Sequence, residues 1–264
     1  MDVNIISLKD SNRRAVCKSR LISKGYNPIF YDAFDSRNLN EVQLEHIFDF
    51  KLFRKTFNYK IDSGIIGCVL SHFNLYKSLL RCENNSKYYI IVEDDCIPLA
   101  TSSELKNIID KALISSFDIL LLGYSKTDNT QYEVINKMNP FKKLYSSGKF
   151  DIGIRYKQSS CGAVAYVVSR SFLENITTSI KKPYYVADEW SFLEKRFKLL
   201  ILHTSPLCFL EDYNGMPSSL EDGRVTNRSI KIRLPYFIRP IWRSIYSFYV
   251  RVMLHIKLII NNKI

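Results

Sequence analysis

The sequence predicts an α/β protein built on a doubly wound sheet with helices on both faces. Three observations carry this expectation. Apolar strands alternate with amphipathic helices along the chain, the central strands read as continuous apolar runs, and the chain opens as strand, helix, strand, which requires a crossover between parallel neighbours.

Residues 3–8 form the first apolar run, and the polar turn Lys9-Asp10-Ser11-Asn12 leads into a helix carrying Arg13, Arg14, Val16 and Leu21. Gly25-Tyr26-Asn27-Pro28 stops that helix, and residues 29–31 give a second strand leading into Asp32-Ala33-Phe34-Asp35. Residues 36–60 mix helical and loop signals. A firm helix follows over about residues 67–81, its apolar face made by Val69, Leu70, Phe73, Tyr76, Leu79 and Leu80. Residues 88–92 are a strand, 103–114 a helix and 117–123 a strand buried on both faces. Residues 124–158 are polar, Lys-rich and weakly periodic, which predicts an excursion containing a hairpin. Residues 162–169 return to strand and 170–179 to helix. Asp188-Glu189-Trp190 opens another helix, whose first turn favours acids, and short strands follow at 199–203 and 207–210.

The strand at 88–92 ends in three consecutive carboxylates, Glu93, Asp94 and Asp95. Adjacent acids repel one another and are costly to desolvate, so a bound cation is a natural compensation. Hard oxygen ligands suit Mg²⁺ or Mn²⁺, which also take ligands from phosphates. A solvated acidic turn is the alternative. Ligands of doubly wound sheets bind outside the carboxyl ends of the strands, where both this triplet and the turn from Lys9 to Arg14 sit, and that convergence favours the cation.

The net charge of +12 is uneven. All 26 acidic residues lie at or before Asp222, leaving 29 basic against 26 acidic residues in 1–222, whereas 223–264 carries nine Lys or Arg and no acid. The chain therefore divides into a main domain, 1–222, and a basic extension, 223–264. Between residues 241 and 260 the extension reads as an amphipathic helix, with Ile241, Ile245, Phe248, Tyr249, Val252, Met253 and Ile256 on one side and Arg243, Ser244, Ser247, Arg251 and His255 on another. Its charges exclude a spanning helix. Residues 231–264 fit an anionic membrane surface, with a helix packed on the protein's own core as the alternative. A balanced, acid-bearing body argues against a nucleic-acid-binding protein that tracks phosphates. The six cysteines show no zinc-like spacing, and the N-terminus shows no signal peptide, so reduced thiols in a cytoplasmic protein are expected.

Five segments in order, Gly64-Ile65-Ile66-Gly67-Cys68-Val69-Leu70-Ser71-His72, Ile91-Val92-Glu93-Asp94-Asp95, Asp118-Ile119-Leu120-Leu121-Leu122-Gly123, Gly162-Ala163-Val164-Ala165-Tyr166-Val167-Val168-Ser169 and Asp188-Glu189, resemble glycosyltransferase family 25. The resemblance spans about residues 3–222. It implies a GT-A fold with one Rossmann-like, mostly parallel mixed sheet, a UDP-sugar donor, a divalent cation (Mn²⁺ or Mg²⁺) and inverting transfer. The family's bacterial lipooligosaccharide galactosyltransferases suggest galactose and a lipid-linked saccharide acceptor. Glucosyl or other hexosyl transfer to a different glycan or a protein-linked acceptor, and a metal-dependent nucleotidyltransferase, are the enzymatic alternatives.

Under this resemblance Glu93 and Asp95 are the outer metal carboxylates and Asp94 reaches the donor. An inverting transferase needs a general base on the acceptor hydroxyl, and the resemblance points to Asp188, with Glu189 beside it. His72 is a donor or acceptor contact or a buried structural histidine, and His203 a possible third metal ligand. Ser7 (Asn in many family members), Arg13, Arg14, Ala33 and Asp35 are expected around the nucleotide. The excursion at 124–158 is the expected seat of acceptor specificity. The expected location is cytoplasmic, peripheral on the inner face of the cytoplasmic membrane.

Overall fold

The structure is a computed structural model that describes residues 1–82, 86–158, 162–213, 215 and 239–261. The predicted opening is present: β1 (Asp2–Ser7), α1 (Arg13–Ser23) and β2 (Asn27–Asp32), with β1 and β2 parallel. The mixed segment that follows holds two short helices, α2 (Glu41–Ile47) and α3 (Phe50–Phe57), whose N-terminal amides are capped by Asn40 and Asp49. Helix α4 (Ser63–Arg81) begins four residues earlier than the apolar periodicity suggests. Asp62 caps it by accepting from the Ile65 amide.

Next come β3 (Tyr88–Glu93), β4 (Cys96–Pro98), α5 (Ser102–Ala112) and β5 (Ile119–Leu121). A capping box between Thr101 and Glu104 starts α5. The stretch read as an excursion is mostly regular structure: α6 (Asn129–Met138) and the hairpin β6 (Phe141–Ser147) and β7 (Phe150–Arg155). The hairpin belongs to the main sheet. Phe150, Ile152 and Ile154 supply a period-two buried face that the surrounding lysines and serines obscure in the sequence. The chain continues through β8 (Ala165–Ser169), α7 (Arg170–Ser179), α8 (Trp190–Phe197), β9 (Ile201–Ser205), β10 (Phe209–Glu211) and α9 (Arg239–Asn261).

Eight strands form one mixed sheet in the order β2-β1-β3-β8-β5-β9-β7-β6, and β4 pairs with β10 in a small second sheet. β7 and β8 run against the other six strands. The apolar strands are covered on both sides. Ile91, Ile119, Leu121, Tyr166 and Val168 pack toward α4, α7 and α8. Val3, Ile5, Ile90, Val92, Leu120 and Val167 pack toward α1 and α5. This two-sided burial is why these strands read as continuous apolar runs.

The boundary at 222/223 falls outside the described residues, as do residues 231–238 of the basic extension. Helix α9 itself packs on the body through Val250 and Leu254, which are buried, and Tyr246 accepts a 2.7 Å hydrogen bond from Lys157. Most of the stripe picked out in the sequence faces away from this contact: Ile245, Phe248, Tyr249, Val252 and Ile256 are exposed, Phe248 to 71%, while Met253 is half-buried and the Ile241 side chain lies outside the described residues. At 100° per residue the stripe lies roughly 160° around the helix from the packed face. The helix therefore packs on the body along one side and leaves an exposed apolar stripe on the other. Among the described residues no helix is long and apolar enough to cross a membrane.

Candidate active site

The acid triplet sits where β3 leaves the sheet, and strand parity separates its members. Tyr89 and Ile91 point toward α4, so the period of two carries Glu93 to that side. There Glu93 Oε1 lies 3.5 Å from Nε2 of His72, a buried residue of α4. His72 Nδ1 is 2.7 Å from the Tyr166 hydroxyl, which in turn meets the Tyr76 hydroxyl at 2.8 Å. Burial pulls His72 down to about 4, with the Asp188 charge opposing in part, so its ring is neutral at neutral pH.

Asp94 is committed to the protein. Its carboxylate accepts from Ser7 Oγ at 2.6 Å and Ser11 Oγ at 3.0 Å, and Arg13 lies 3.4 Å away. These contacts tie the end of β1 and the turn after it to the end of β3. Asp95 is the opposite case. It is 7% exposed, one oxygen lies 3.5 Å from Arg13, and the other, Oδ1, is buried without a hydrogen-bond partner. Burial above all, then the charges of Glu93, Glu211 and Asp94, pushes its carboxyl up to about 8. A buried carboxylate with an orphaned oxygen among like charges is expensive, and a proton or a divalent cation would offset it. The oxygen donors of Asp95 and Glu93 fit Mn²⁺ or Mg²⁺.

A cleft of about 900 Å³ opens over these groups, and Ser7, Arg13, Ala33, Asp35, His72, Glu93, Asp94 and Asp95 all line it. Its far wall is the loop after β2, held against α4 by close contacts. The Phe34 amide donates to Ser71 Oγ at 2.8 Å, and Ser36 Oγ donates to the Ser63 carbonyl at 2.6 Å. Gly67 permits this approach, because a Cβ there would lie 2.5 Å from Ser36 Oγ and 3.0 Å from the Phe34 carbonyl. Asp35 pairs with Arg37 at 2.6 Å, and hydrogen bonds from Arg37 lower its carboxyl to about 2.

Asp188 and Glu189 stand at the start of α8 and are not among the residues that line the cleft. The Trp190 indole donates to the Gly162 carbonyl at 2.7 Å and its ring packs edge-on against Tyr166, which fixes that helix start beside β8. Gly162 has φ +60°, and a Cβ would run into Ser125, so glycine is required there. Asp188 lies within electrostatic reach of His72. Glu189 is the N-cap residue but makes no capping hydrogen bond, and burial first, then Asp188, raises its carboxyl.

Two predicted residues stand apart from this group. His203, on β9, is wholly buried; its Nδ1 meets the Tyr124 hydroxyl at 2.7 Å and its Nε2 meets Gln158 Oε1 at 2.6 Å. With both ring nitrogens engaged it offers no lone pair to a cation, which corrects its assignment as a third ligand. Arg14 braces the sheet edge instead of the nucleotide cleft. Its guanidinium donates to the Ser7 and Leu8 carbonyls and to Asp32 and lies over the Phe30 ring. Conversely, Glu211 was not anticipated as a neighbour of Asp95. It arrives through the pairing of β10 with β4, where Glu211 faces Cys96, and no local sequence signal reports a two-stranded ladder of that separation.

No curated protein matches the chain significantly. Among solved structures, A197 from STIV aligns with TM-score 0.41 and 12% identity over 76% of this chain and 80% of that one. HddC from Yersinia pseudotuberculosis complexed with GMP-PN gives 0.38 and 14% over 82% and 94%. Mouse xyloside xylosyltransferase 1, apo form, gives 0.31 and 12% over 76% and 70%. Likenesses at these scores carry no argument here. The sequence model of glycosyltransferase family 25 (LPS biosynthesis protein) matches residues 1–190, which include β1, α4, the acid triplet and the start of α8. The chain belongs to glycosyltransferase family 25.

Proposed function

We propose that this glycosyltransferase is a GT-A enzyme that moves a hexose, galactose in the first instance, from a UDP-sugar to a lipid-linked lipooligosaccharide acceptor with inversion. The observation that carries the reading is the orphaned Asp95 oxygen beside Glu93 on the floor of a cleft large enough for a nucleotide sugar. Glu93 and Asp95 would hold Mn²⁺ or Mg²⁺, which supplies charge neutralisation for the departing diphosphate. Arg13 adds a fixed positive charge at the same end of the cleft, and Ser7 and Ser11 keep Asp94 from turning away. The loop 33–37 and the facing turn of α4 form the wall for the nucleoside. Asp188 accepts the proton from the acceptor hydroxyl as its oxygen bonds to the anomeric carbon and the bond to the diphosphate breaks.

A UDP-release assay over a panel of UDP-sugars, each with Mn²⁺, Mg²⁺ or EDTA, tests the reading. Turnover is expected with one donor and one of the cations and not with EDTA. Release of pyrophosphate from a nucleoside triphosphate instead would refute it.

The acceptor's lipid is matched by α9. Its exposed apolar stripe suits the headgroup boundary of an anionic bilayer, and the basic residues of the extension add electrostatic attraction. Double substitution Ile245→Ser, Phe248→Ser is expected to weaken binding to anionic vesicles by at least tenfold, since each side chain contributes about 1–2 kcal/mol when buried. Both side chains are exposed, so thermal unfolding should not move. Equal sedimentation of variant and wild-type chain with vesicles would exclude the surface.

A further inference from the structure

Cys68 and His72 are one helical turn apart on α4, so their side chains share a face. That face meets Glu93 at the end of β3. One ligand atom from each, Cys68 Sγ, a His72 ring nitrogen and a Glu93 carboxylate oxygen, lies within 4.8 Å of the other two, and His72 Nε2 is the nitrogen 3.5 Å from Glu93 Oε1. His72 is 2% exposed and its Nε2 has no hydrogen-bond partner, although it points at this cluster. Its other nitrogen is already fixed by the Tyr166 hydroxyl at 2.7 Å, backed by Tyr76, the kind of outer hydrogen bond that orients a ligating imidazole.

We propose that Cys68, His72 and Glu93 form a binding site for a soft divalent cation of the Zn²⁺ class, distinct from the hard cation on Glu93 and Asp95. Thiolate and imidazole donors select Zn²⁺ over Mg²⁺. Bonds of about 2.0–2.3 Å in a tetrahedral site put ligand atoms roughly 3.3–3.8 Å apart, so small side-chain rotations close the cluster. Three protein ligands leave a fourth position, and since all three residues line the cleft, that position opens into it. Glu93 is common to both cation sites. A soft ion bound here draws Glu93 away from Asp95, and so inhibits turnover. That consequence rests on the proposed transferase reading, whereas binding itself does not.

The test is Co²⁺ titration of the metal-free full-length protein. A thiolate-to-cobalt charge-transfer band should grow to one equivalent and vanish when Zn²⁺ is added. Cys68→Ser should abolish the band with unchanged circular dichroism, His72→Gln should weaken Co²⁺ binding at least tenfold, and Asp95→Asn should keep the band. A missing band in the wild-type chain, or a band that survives Cys68→Ser, overturns the site. Loss of the band in Asp95→Asn overturns its separateness from the hard-cation site. A band without UDP-sugar turnover leaves this site standing and refutes the transferase reading instead.

Discussion

Asp95→Asn is expected to lower kcat at least 100-fold while making the cation-free protein more stable. The two effects have one cause. Asp95 is buried among Glu93, Glu211 and Asp94 with an unpartnered oxygen, so ionising it in the empty site is costly, and its carboxyl is raised to about 8. A folded-state pKa above the unfolded value means the native state holds the extra proton. Stability from this group is therefore present at low pH and lost as pH rises from about 4 toward 8. Asparagine removes the charge and keeps the shape. At pH 8 the gain should reach about 1 kcal/mol or more, read as a Tm increase of roughly 2–4 °C in EDTA. Activity moves the other way, because a fixed carboxylate that holds charge neutralisation at a leaving group is worth several kcal/mol of barrier. The cation must also displace the proton, so its apparent affinity in the wild-type chain should fall about tenfold per pH unit below 8. A variant that loses activity without gaining stability would point to ordinary disruption of the fold.

The contrast between the three acids shows what a sequence does and does not carry. Their position at a strand end was legible, because the apolar run before them is buried on both faces and can be nothing but a central strand. Their division of labour was not. It depends on Ser7 and Ser11 saturating Asp94 from the end of β1 and the turn after it, 87 and 83 residues earlier, and on Glu211 pressing on Asp95 from a strand far later. The same distinction separates His72 from His203. Both are lone histidines in apolar stretches, and only the partners brought by the fold, Tyr124 and Gln158 for one and an unsatisfied Nε2 facing Glu93 for the other, tell them apart. The hairpin β6–β7 was obscured for another reason. An edge ribbon needs apolar residues on one face only, and the solvent face is free to be lysine-rich.

Asp188→Asn is expected to cut kcat by 10²–10⁴ with little change in the KM for the donor, the range that loss of a positioned general base produces. Glu189→Gln should cost less than tenfold. The two neighbours are chemically alike, so the difference has to come from placement. The Trp190 indole and its contact with Tyr166 pin the start of α8 against the same tyrosine that holds His72. Asp188 is the acid whose charge reaches the buried imidazole that faces Glu93. Glu189 occupies the N-cap position, where its carboxylate interacts with the helix dipole without closing a capping hydrogen bond. Single-turnover rates at saturating UDP-sugar, measured for both variants, decide the assignment, and a large loss in Glu189→Gln with a small one in Asp188→Asn would reverse it. Slow hydrolysis of the donor to UDP and free sugar offers a second reading on the same pair. Water needs less activation than a secondary hydroxyl held in one orientation, so Asp188→Asn should depress transfer to saccharide more than it depresses hydrolysis.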